Sequence, residues 1–114
     1  MSRASPHGPV SLREAAPLFA ALGDETRLLL LGRLSVSGPG STARLRASSR
    51  VSHQAITKHL EVLSAAGLVR SGRQGRERIW ELEPKRLAAA HAYLDRISEH
   101  WDDALARLKR FVEE

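Results

Sequence analysis

The segment from Val51 to Pro84, VSHQAITKHLEVLSAAGLVRSGRQGRERIWELEP, decides the fold because its hydrophobic pattern changes halfway along. In its first half, Ile56, Leu60 and Leu63 fall on one line when residues are placed at the 100° steps of a helix. Ser52 stands just before them and is a residue type that caps helix N-termini, while a glycine follows the last apolar residues. This half therefore predicts an amphipathic helix that begins after Ser52.

The second half of the segment predicts a short basic hairpin. Apolar residues alternate there with polar ones as in β-strands, and two glycines permit a tight connection between the strands. Four arginines lie in or beside that connection, namely Arg70, Arg73, Arg76 and Arg78. Such charge protects an edge strand from pairing with other chains, and it also suits binding to phosphates, so both roles are compatible with the pattern.

The positive charge of the chain is concentrated around this segment. The 114 residues suit a single domain and carry a formal net charge of +5. Residues 40–80 hold eight basic and two acidic side chains, a net charge of +6, whereas the rest of the chain has a net charge of −1. A local positive field predicts a polyanionic partner, with nucleic acid first and an anionic membrane surface second.

The composition excludes several kinds of site. There are no cysteines, which rules out disulfides, thiolate metal ligands and cysteine nucleophiles. No stretch reaches the roughly 18 apolar residues of a transmembrane helix, and the start of the chain lacks the apolar core of a signal peptide, so a cytoplasmic protein is expected. Residues 1–10, rich in proline and serine, predict a disordered tail before a domain that spans residues 11–114.

Three helices are predicted before this segment. Ser11 and Glu14 have the spacing of a capping box, and the helix that they start either kinks at Pro17 or begins near Ala16. A short helix over about residues 41–48 follows a proline- and glycine-rich stop. Between the two, DETRLLLLGRLSV predicts a second helix whose buried face is formed by Leu28, Leu30, Leu31 and Leu34.

From Pro84 onward the sequence predicts one long helix, over residues 84–112. Apolar residues repeat along it at intervals of three and four for more than three heptads, which is the pattern of a coiled-coil seam. The seam spans about 36 Å, longer than a small domain covers, so a partner helix from a second copy is expected. The expected dimer-interface residues are Leu87, Leu94, Ile97, Trp101, Leu108 and Phe111.

Together these elements predict a winged helix-turn-helix, mainly α with a small β-hairpin, in the order α-α-α-α-β-β-α. A helix whose first turns carry polar side chains fits the major groove of DNA, which is about 12 Å wide. His53, Gln54, Thr57 and Lys58 are those side chains here. Gln54 suits adenine and Lys58 suits a phosphate, while the arginines of the hairpin suit phosphates or the adjacent minor groove.

Segments of this chain, taken in order, resemble the ArsR-type bacterial repressors. They are LFAALGDETRLLLLGRL, VSHQAITKHLEVLSAAGLV and RQGRERIWEL, while YLDRISEHWDDALARLKRF resembles the terminal helix of the metal-independent, SdpR-like branch. The resemblance implies a homodimeric winged-helix transcription repressor that binds a palindromic operator, often near its own gene. It also implies DNA contacts in the recognition helix and the wing, at Ser52, His53, Gln54, Thr57, Lys58 and His59 and at Arg70, Arg73, Gln74, Arg76 and Arg78.

Two groups of residues allow a second interpretation. His59 lies beside Val62 at the edge of the apolar face, where a role in helix packing competes with DNA contact. On the last helix, imidazole and carboxylate side chains suit zinc, whereas the resemblance to the branch without metal favours a charged flank and no cofactor. The candidate ligands are His91, Asp95, Glu99 and His100.

An enzyme is not expected, because the chain has no glycine-rich phosphate loop, no metal-hydrolase motif and no nucleophile elbow. The sequence leaves three alternatives to the repressor described above. They are a winged-helix module that binds another protein, a zinc-responsive repressor, and a protein that coats DNA without sequence preference. The sequence names neither the operator nor an effector ligand.

Overall fold

A computed structural model describes residues 11–47 and 50–113, and the predicted tail over residues 1–10 lies outside them. Within these ranges the chain forms five helices and three strands. In chain order they are α1 (Leu12–Leu22), α2 (Glu25–Ser37), β1 (Gly40–Ser41), α3 (Thr42–Arg46), α4 (His53–Ala65), β2 (Val69–Gln74), β3 (Glu77–Leu82) and α5 (Pro84–Glu113). The predicted winged helix-turn-helix is confirmed, with one more strand than the sequence predicted.

The additional strand is β1, which joins the predicted hairpin in an antiparallel sheet of order β1-β3-β2. Gly40 pairs with Trp80, and Ser41 pairs with Ile79. Two residues are too short a run to show the alternation that marks a strand in a sequence, so only the pairing with β3 reveals it. As a result, the start of α3 is tied to the hairpin.

Capping residues set the points at which the first helices begin. Ser11 Oγ accepts a hydrogen bond from the backbone N–H of Glu14, and the Glu14 carboxylate accepts one from the backbone N–H of Ser11, which completes the predicted capping box. Asp24 caps α2 through its carboxylate. Pro17 lies inside α1, and since this helix begins right after its cap, the alternative start near Ala16 is wrong.

The core lies between the helices and the inner face of the sheet. Its fully buried large side chains are Leu18, Leu30, Ile56, Leu60, Leu63, Leu68 and Trp80. The predicted apolar line of α4 is therefore confirmed. Leu28 is a correction, because it was expected on the buried face of α2 and is 53% exposed. The 100° steps of the helix turn it outward when Leu30, Leu31 and Leu34 face the core.

The long helix α5 starts on the body and continues beyond it. Its 30 residues extend over about 45 Å at 1.5 Å per residue. Leu87 packs against the core of its own chain, Ala90 is buried, and the Tyr93 ring lies 6.0 Å from the Phe19 ring of α1. The periodicity assigned Leu87 to a dimer seam, but the body of the same chain reaches this first part of the helix.

Most large apolar side chains further along α5 are exposed in the part of the chain that the structure describes. Those exposed are Leu94, Ile97, Trp101, Leu105, Leu108, Phe111 and Val112. An apolar face of this size on a charged helix is typical of an interaction surface. Across residues 11–47 and 50–113, no helix combines the length and the apolar character needed to cross a membrane.

Candidate nucleic-acid interface

The first turns of α4 present the predicted polar side chains at the surface. Ser52 is the N-cap, and its Oγ accepts a backbone N–H of the first turn at 3.2 Å. His53, Gln54 and Lys58 are exposed. The Thr57 hydroxyl donates to the carbonyl oxygen of His53 at 3.0 Å, which leaves the lone pairs of the hydroxyl as acceptors. Because the apolar line of α4 is buried, this polar arc faces away from the core.

His59 differs from these residues because it has a partner within the chain. Its Nδ1 lies 3.8 Å from Oδ1 of Asp24, the N-cap of α2. The backbone N–H of Arg27 donates to the Asp24 carboxylate and lowers the pKa of Asp24 below its ordinary value, and His59 acts in the same direction. His59 therefore lies between α4 and α2, which favours the role in helix packing over DNA contact among the two that the sequence allowed.

A groove of about 350 Å³ lies between the start of α4, the start of α3 and the hairpin. Its lining is mostly polar and basic, and consists of Ser41, Thr42, Ala43, His53, Thr57, Arg73, Arg76, Glu77 and Arg78. The groove brings two recognition-helix candidates together with three of the predicted wing arginines. The sequence did not indicate the contribution of α3, because this helix reaches the groove through contacts with distant segments such as the pairing of β1 with β3.

A buried hydrogen bond fixes one wall of this groove to the hairpin. The indole Nε1 of Trp80 donates to Oγ1 of Thr42 at 2.8 Å. Trp80 is fully buried and Thr42 is nearly so. Since a buried N–H without an acceptor is costly, this bond favours one placement of α3 against β3.

The register of the hairpin separates its arginines between two faces. Arg73 lies directly opposite Arg78, and strand alternation puts both on the same face as buried Trp80. Arg70 lies opposite Glu81 on the other face. Arg73 and Arg78 therefore border the groove, whereas Arg70 does not.

Arg70 is held by acidic neighbours on that far face. Its Nε donates to Oε1 of Glu81 at 2.9 Å, and its Nη1 donates to Oε2 of Glu83 at 3.0 Å. The hydrogen bond that Arg70 donates to Glu81 is the main reason that the pKa of Arg70 is raised above its ordinary value. Its charge is therefore already balanced within the hairpin.

Arg78 also has partners within the chain. Its guanidinium carbon lies 4.2 Å from the centroid of the Trp80 ring, and its Nε donates to Oγ of Ser71 at 3.2 Å. Its Nη1 lies 3.5 Å from Oε2 of Glu61 on α4. Sequence reasoning missed Glu61, because nothing in the pattern pairs a carboxylate of the recognition helix with the wing.

The tip of the hairpin carries the arginines without such partners. Gly75 has a φ of 65°, a conformation that favours glycine and allows the turn. Gln74 is exposed and pairs in register with Glu77. Arg73 and Arg76 are exposed, and neither makes a hydrogen bond or ion pair with any residue that the structure describes. The uncompensated charge of the wing therefore lies at these two residues.

The candidate zinc ligands of α5 come together only in part. His91 Nδ1 lies 3.5 Å from Asp95 Oδ2, one turn apart, and both side chains are exposed. Glu99 and His100 are exposed further along the helix. In the described part of the chain, no three histidine, aspartate or glutamate residues are placed to hold a metal ion together. Within residues 11–47 and 50–113, the three or four protein ligands that zinc sites use are therefore not brought together.

Comparisons with known proteins agree with this geometry, although no protein-family model matches the chain. The chain is 36% identical over 95 residues to the HTH-type transcriptional regulator Rv2034 of Mycobacterium tuberculosis, which covers 83% of this chain and 85% of that protein. It is 40% identical to the solved structure of an ArsR-like transcriptional regulator from Rhodococcus sp. RHA1. That structure superposes with a TM-score of 0.72 over 87% of this chain and 92% of the other.

A third protein shares the fold alone. It is the homodimeric winged helix-turn-helix DNA-binding domain Mb0332 from Mycobacterium bovis, which is 19% identical, with a TM-score of 0.63 over 82% of this chain and 85% of that one. The two more similar proteins match this chain over most of both lengths. The chain therefore belongs to the ArsR family of winged helix-turn-helix transcriptional regulators, which are not enzymes.

Proposed function

We propose that this regulator is a homodimeric repressor that binds a palindromic operator, with α4 in the major groove and the wing on the DNA backbone. The groove between α4, α3 and the hairpin carries this proposal, because it joins polar side chains to uncompensated arginines on one surface. Sequence is read at base edges, and phosphate contacts set the register on the duplex. Both kinds of side chain are present side by side here.

The recognition helix supplies the base contacts in this proposal. Gln54 is exposed and has the amide that pairs with N6 and N7 of adenine. His53 and Thr57 line the groove and contact a base edge or the neighbouring phosphate. Lys58 is exposed one turn further along and binds a phosphate. Ser52 caps the helix and keeps a hydroxyl available to the backbone of the DNA.

The wing supplies the backbone contacts. Arg73 and Arg76 have exposed charges that no described residue balances, so phosphate is their natural partner. Gln74 lies between them at the tip and adds a neutral donor. Arg70 has its charge balanced by two carboxylates on the far face, so we assign it a role in holding the hairpin together.

The exposed apolar face of α5 supplies the dimer. It presents the predicted interface residues beyond Leu87, and Leu12 of α1 is also exposed. The homodimeric state of the Mb0332 domain, which has the same fold, supports this arrangement. A two-fold dimer presents two α4 helices to successive major grooves, about 34–36 Å apart, and so selects a palindromic site.

Repression is part of this proposal, since a dimer on an operator would block access to the promoter that contains it. The promoter of its own gene is the first natural fragment to test, because the proposal includes autoregulation. In this role the protein is located in the cytoplasm, where the chromosome lies.

Selection of bound DNA from a random pool at moderate salt tests specificity, palindromy and spacing together. We expect a two-fold symmetric sequence with half-sites about 10 base pairs apart, bound about 10³-fold or more over competitor DNA. Enrichment of no sequence would contradict the proposal, and would favour DNA coating if binding persists or a protein-interaction module if binding is absent. Repeating the selection with zinc tests the zinc-responsive alternative.

A further inference from the structure

The Arg78 cluster, which consists of Arg78, Trp80, Ser71 and Glu61, joins the wing to the recognition helix. Arg78 and Trp80 lie on β3, Ser71 lies on β2, and Glu61 lies on α4. The guanidinium of Arg78 contacts all three partners. We propose that Arg78 is a positioning residue, which Glu61 and Trp80 hold so that the wing keeps its angle to α4. The proposal rests on the DNA-binding function above.

The partners of Arg78 form a rigid platform. Trp80 is fully buried and its Nε1 donates to Thr42 at 2.8 Å, so its ring cannot turn away. Arg78 stacks on this ring at 4.2 Å, an arrangement in which the face of an indole attracts a cation. Ser71 pairs in register with Trp80, which explains why its hydroxyl meets the guanidinium on the same face. Glu61 links this platform to α4 through its ion pair with Arg78.

The position of Arg73 across the hairpin explains why Arg78 needs partners that offset its charge. Arg73 lies directly opposite Arg78, and like charges in that position destabilise a strand pair. The Glu61 carboxylate, 3.5 Å from Arg78, and the Trp80 ring offset the charge of Arg78. Arg73 is then left as the uncompensated cation of the pair, at a defined place beside the groove.

The alternative is that Arg78 itself binds a phosphate and leaves Glu61 when DNA arrives. The two roles predict opposite effects when the charge of Glu61 is removed. If Arg78 binds phosphate, loss of a nearby negative charge frees the guanidinium and strengthens binding. If Arg78 positions the wing, loss of its anchor weakens binding even though the surface becomes more positive.

The decisive variant is Glu61→Gln, measured by operator binding over a range of salt concentrations. We expect it to bind about fivefold more weakly than the wild type, the scale of a lost coupling between neighbouring groups. The matched control is Glu77→Gln, which removes one negative charge from the lining of the groove without touching the cluster, and should bind slightly more tightly. Tighter binding by both variants would overturn the proposal.

The effect of Arg78→Gln provides a second comparison. We expect the double variant with Glu61→Gln to bind no more weakly than Arg78→Gln alone, because the two side chains act as a unit. If Arg78 instead contacts a phosphate, Arg78→Gln should reduce the magnitude of the slope of log K against log salt by about 0.9 per lost contact. Glu61→Gln should then leave this slope unchanged. That combination would overturn the positioning role.

A measurement without DNA separates this proposal from the proposed function. In the NMR spectrum of the free protein, the guanidinium N–H signal of Arg78 should lie upfield of those of the other arginines, since its guanidinium stacks over the Trp80 ring. Glu61→Gln should move this signal toward the common arginine position, while Glu77→Gln should not. An Arg78 signal that Glu61→Gln leaves unchanged would overturn the cluster, whether or not the protein binds an operator.

Discussion

Side chains with one well-defined partner explain how the interface keeps its shape. Trp80 and Thr42 hold the start of α3 against the hairpin through one buried hydrogen bond. Asp24 caps α2 and also lies close to His59 of α4, so a single carboxylate serves two helices. These roles are not visible in the residue types, since threonine and aspartate are common at helix starts for local reasons alone.

Thr42→Val should destabilise the protein, because it leaves the indole N–H of Trp80 buried without an acceptor. The expected cost is about 1–3 kcal/mol in the free energy of unfolding, measured by urea denaturation. Thr42→Ser is the matched control, since it keeps the hydroxyl and should stay closer to the wild type. Equal stability of the two variants would show that the hydrogen bond contributes little.

The pKa of Asp24 predicts a pH dependence of stability. The Arg27 N–H holds this pKa below the ordinary value of 3.8, so the charged carboxylate stabilises the folded state above that value. This contribution is lost as the pH falls through the lower pKa of the folded state. Asp24→Asn keeps a capping acceptor but does not titrate. The wild type should therefore lose more stability than Asp24→Asn between about pH 5 and about pH 2 in thermal unfolding; parallel losses would contradict this.

At the scale of elements, periodicity and capping predicted α1, α2, α4 and the hairpin. These signals are local, because a helix shows its buried face every three or four residues and its cap in one turn. β1 escaped detection, since it is two residues long and exists only through pairing with β3. The wing arginines looked alike in the sequence, yet strand register gave Arg70 two carboxylates and left Arg73 with none.

The wing therefore predicts unequal effects of its arginines on the salt dependence of DNA binding. A dimer that neutralises about eight phosphates should show a slope of log K against log salt near −7. Arg73→Gln or Arg76→Gln should weaken the slope by about 2 per dimer. Arg70→Gln, the control in the same hairpin, should leave the slope nearly unchanged. Equal changes in all three variants would contradict the division between the two faces.

At the scale of the whole molecule, α5 has a first part that packs against the body of its own chain and a second part that extends beyond it. Leu87 and Ala90 pack in the core of their own chain, whereas the large apolar residues from Leu94 onward are exposed. The heptad pattern is the same in both parts. Periodicity shows only that one face of the helix is apolar. How far the rest of the domain extends along α5 decides which of these apolar residues are left for a partner to cover.

Trp101→Asp should convert the proposed dimer to monomers, because it places a charge in the middle of the exposed apolar face. Operator binding should fall with it, since one α4 alone reads only one half-site. Ultracentrifugation measures the mass, and Val36→Asp is the control, because Val36 is an exposed apolar residue on α2. Retention of the dimer in Trp101→Asp, or its loss in Val36→Asp, would place the interface elsewhere.

The chain's order of helices, its hairpin, its polar recognition helix and its concentration of positive charge can all be read from the residues, because each depends on neighbours a few positions apart. Other features depend on contacts between distant segments. The packing of α3 on the hairpin, the Glu61–Arg78 pair and the point at which α5 leaves the body belong to this second class. Pairs such as Thr42 and Trp80 meet only when the chain has folded, and no local pattern records which of several similar side chains will find a partner.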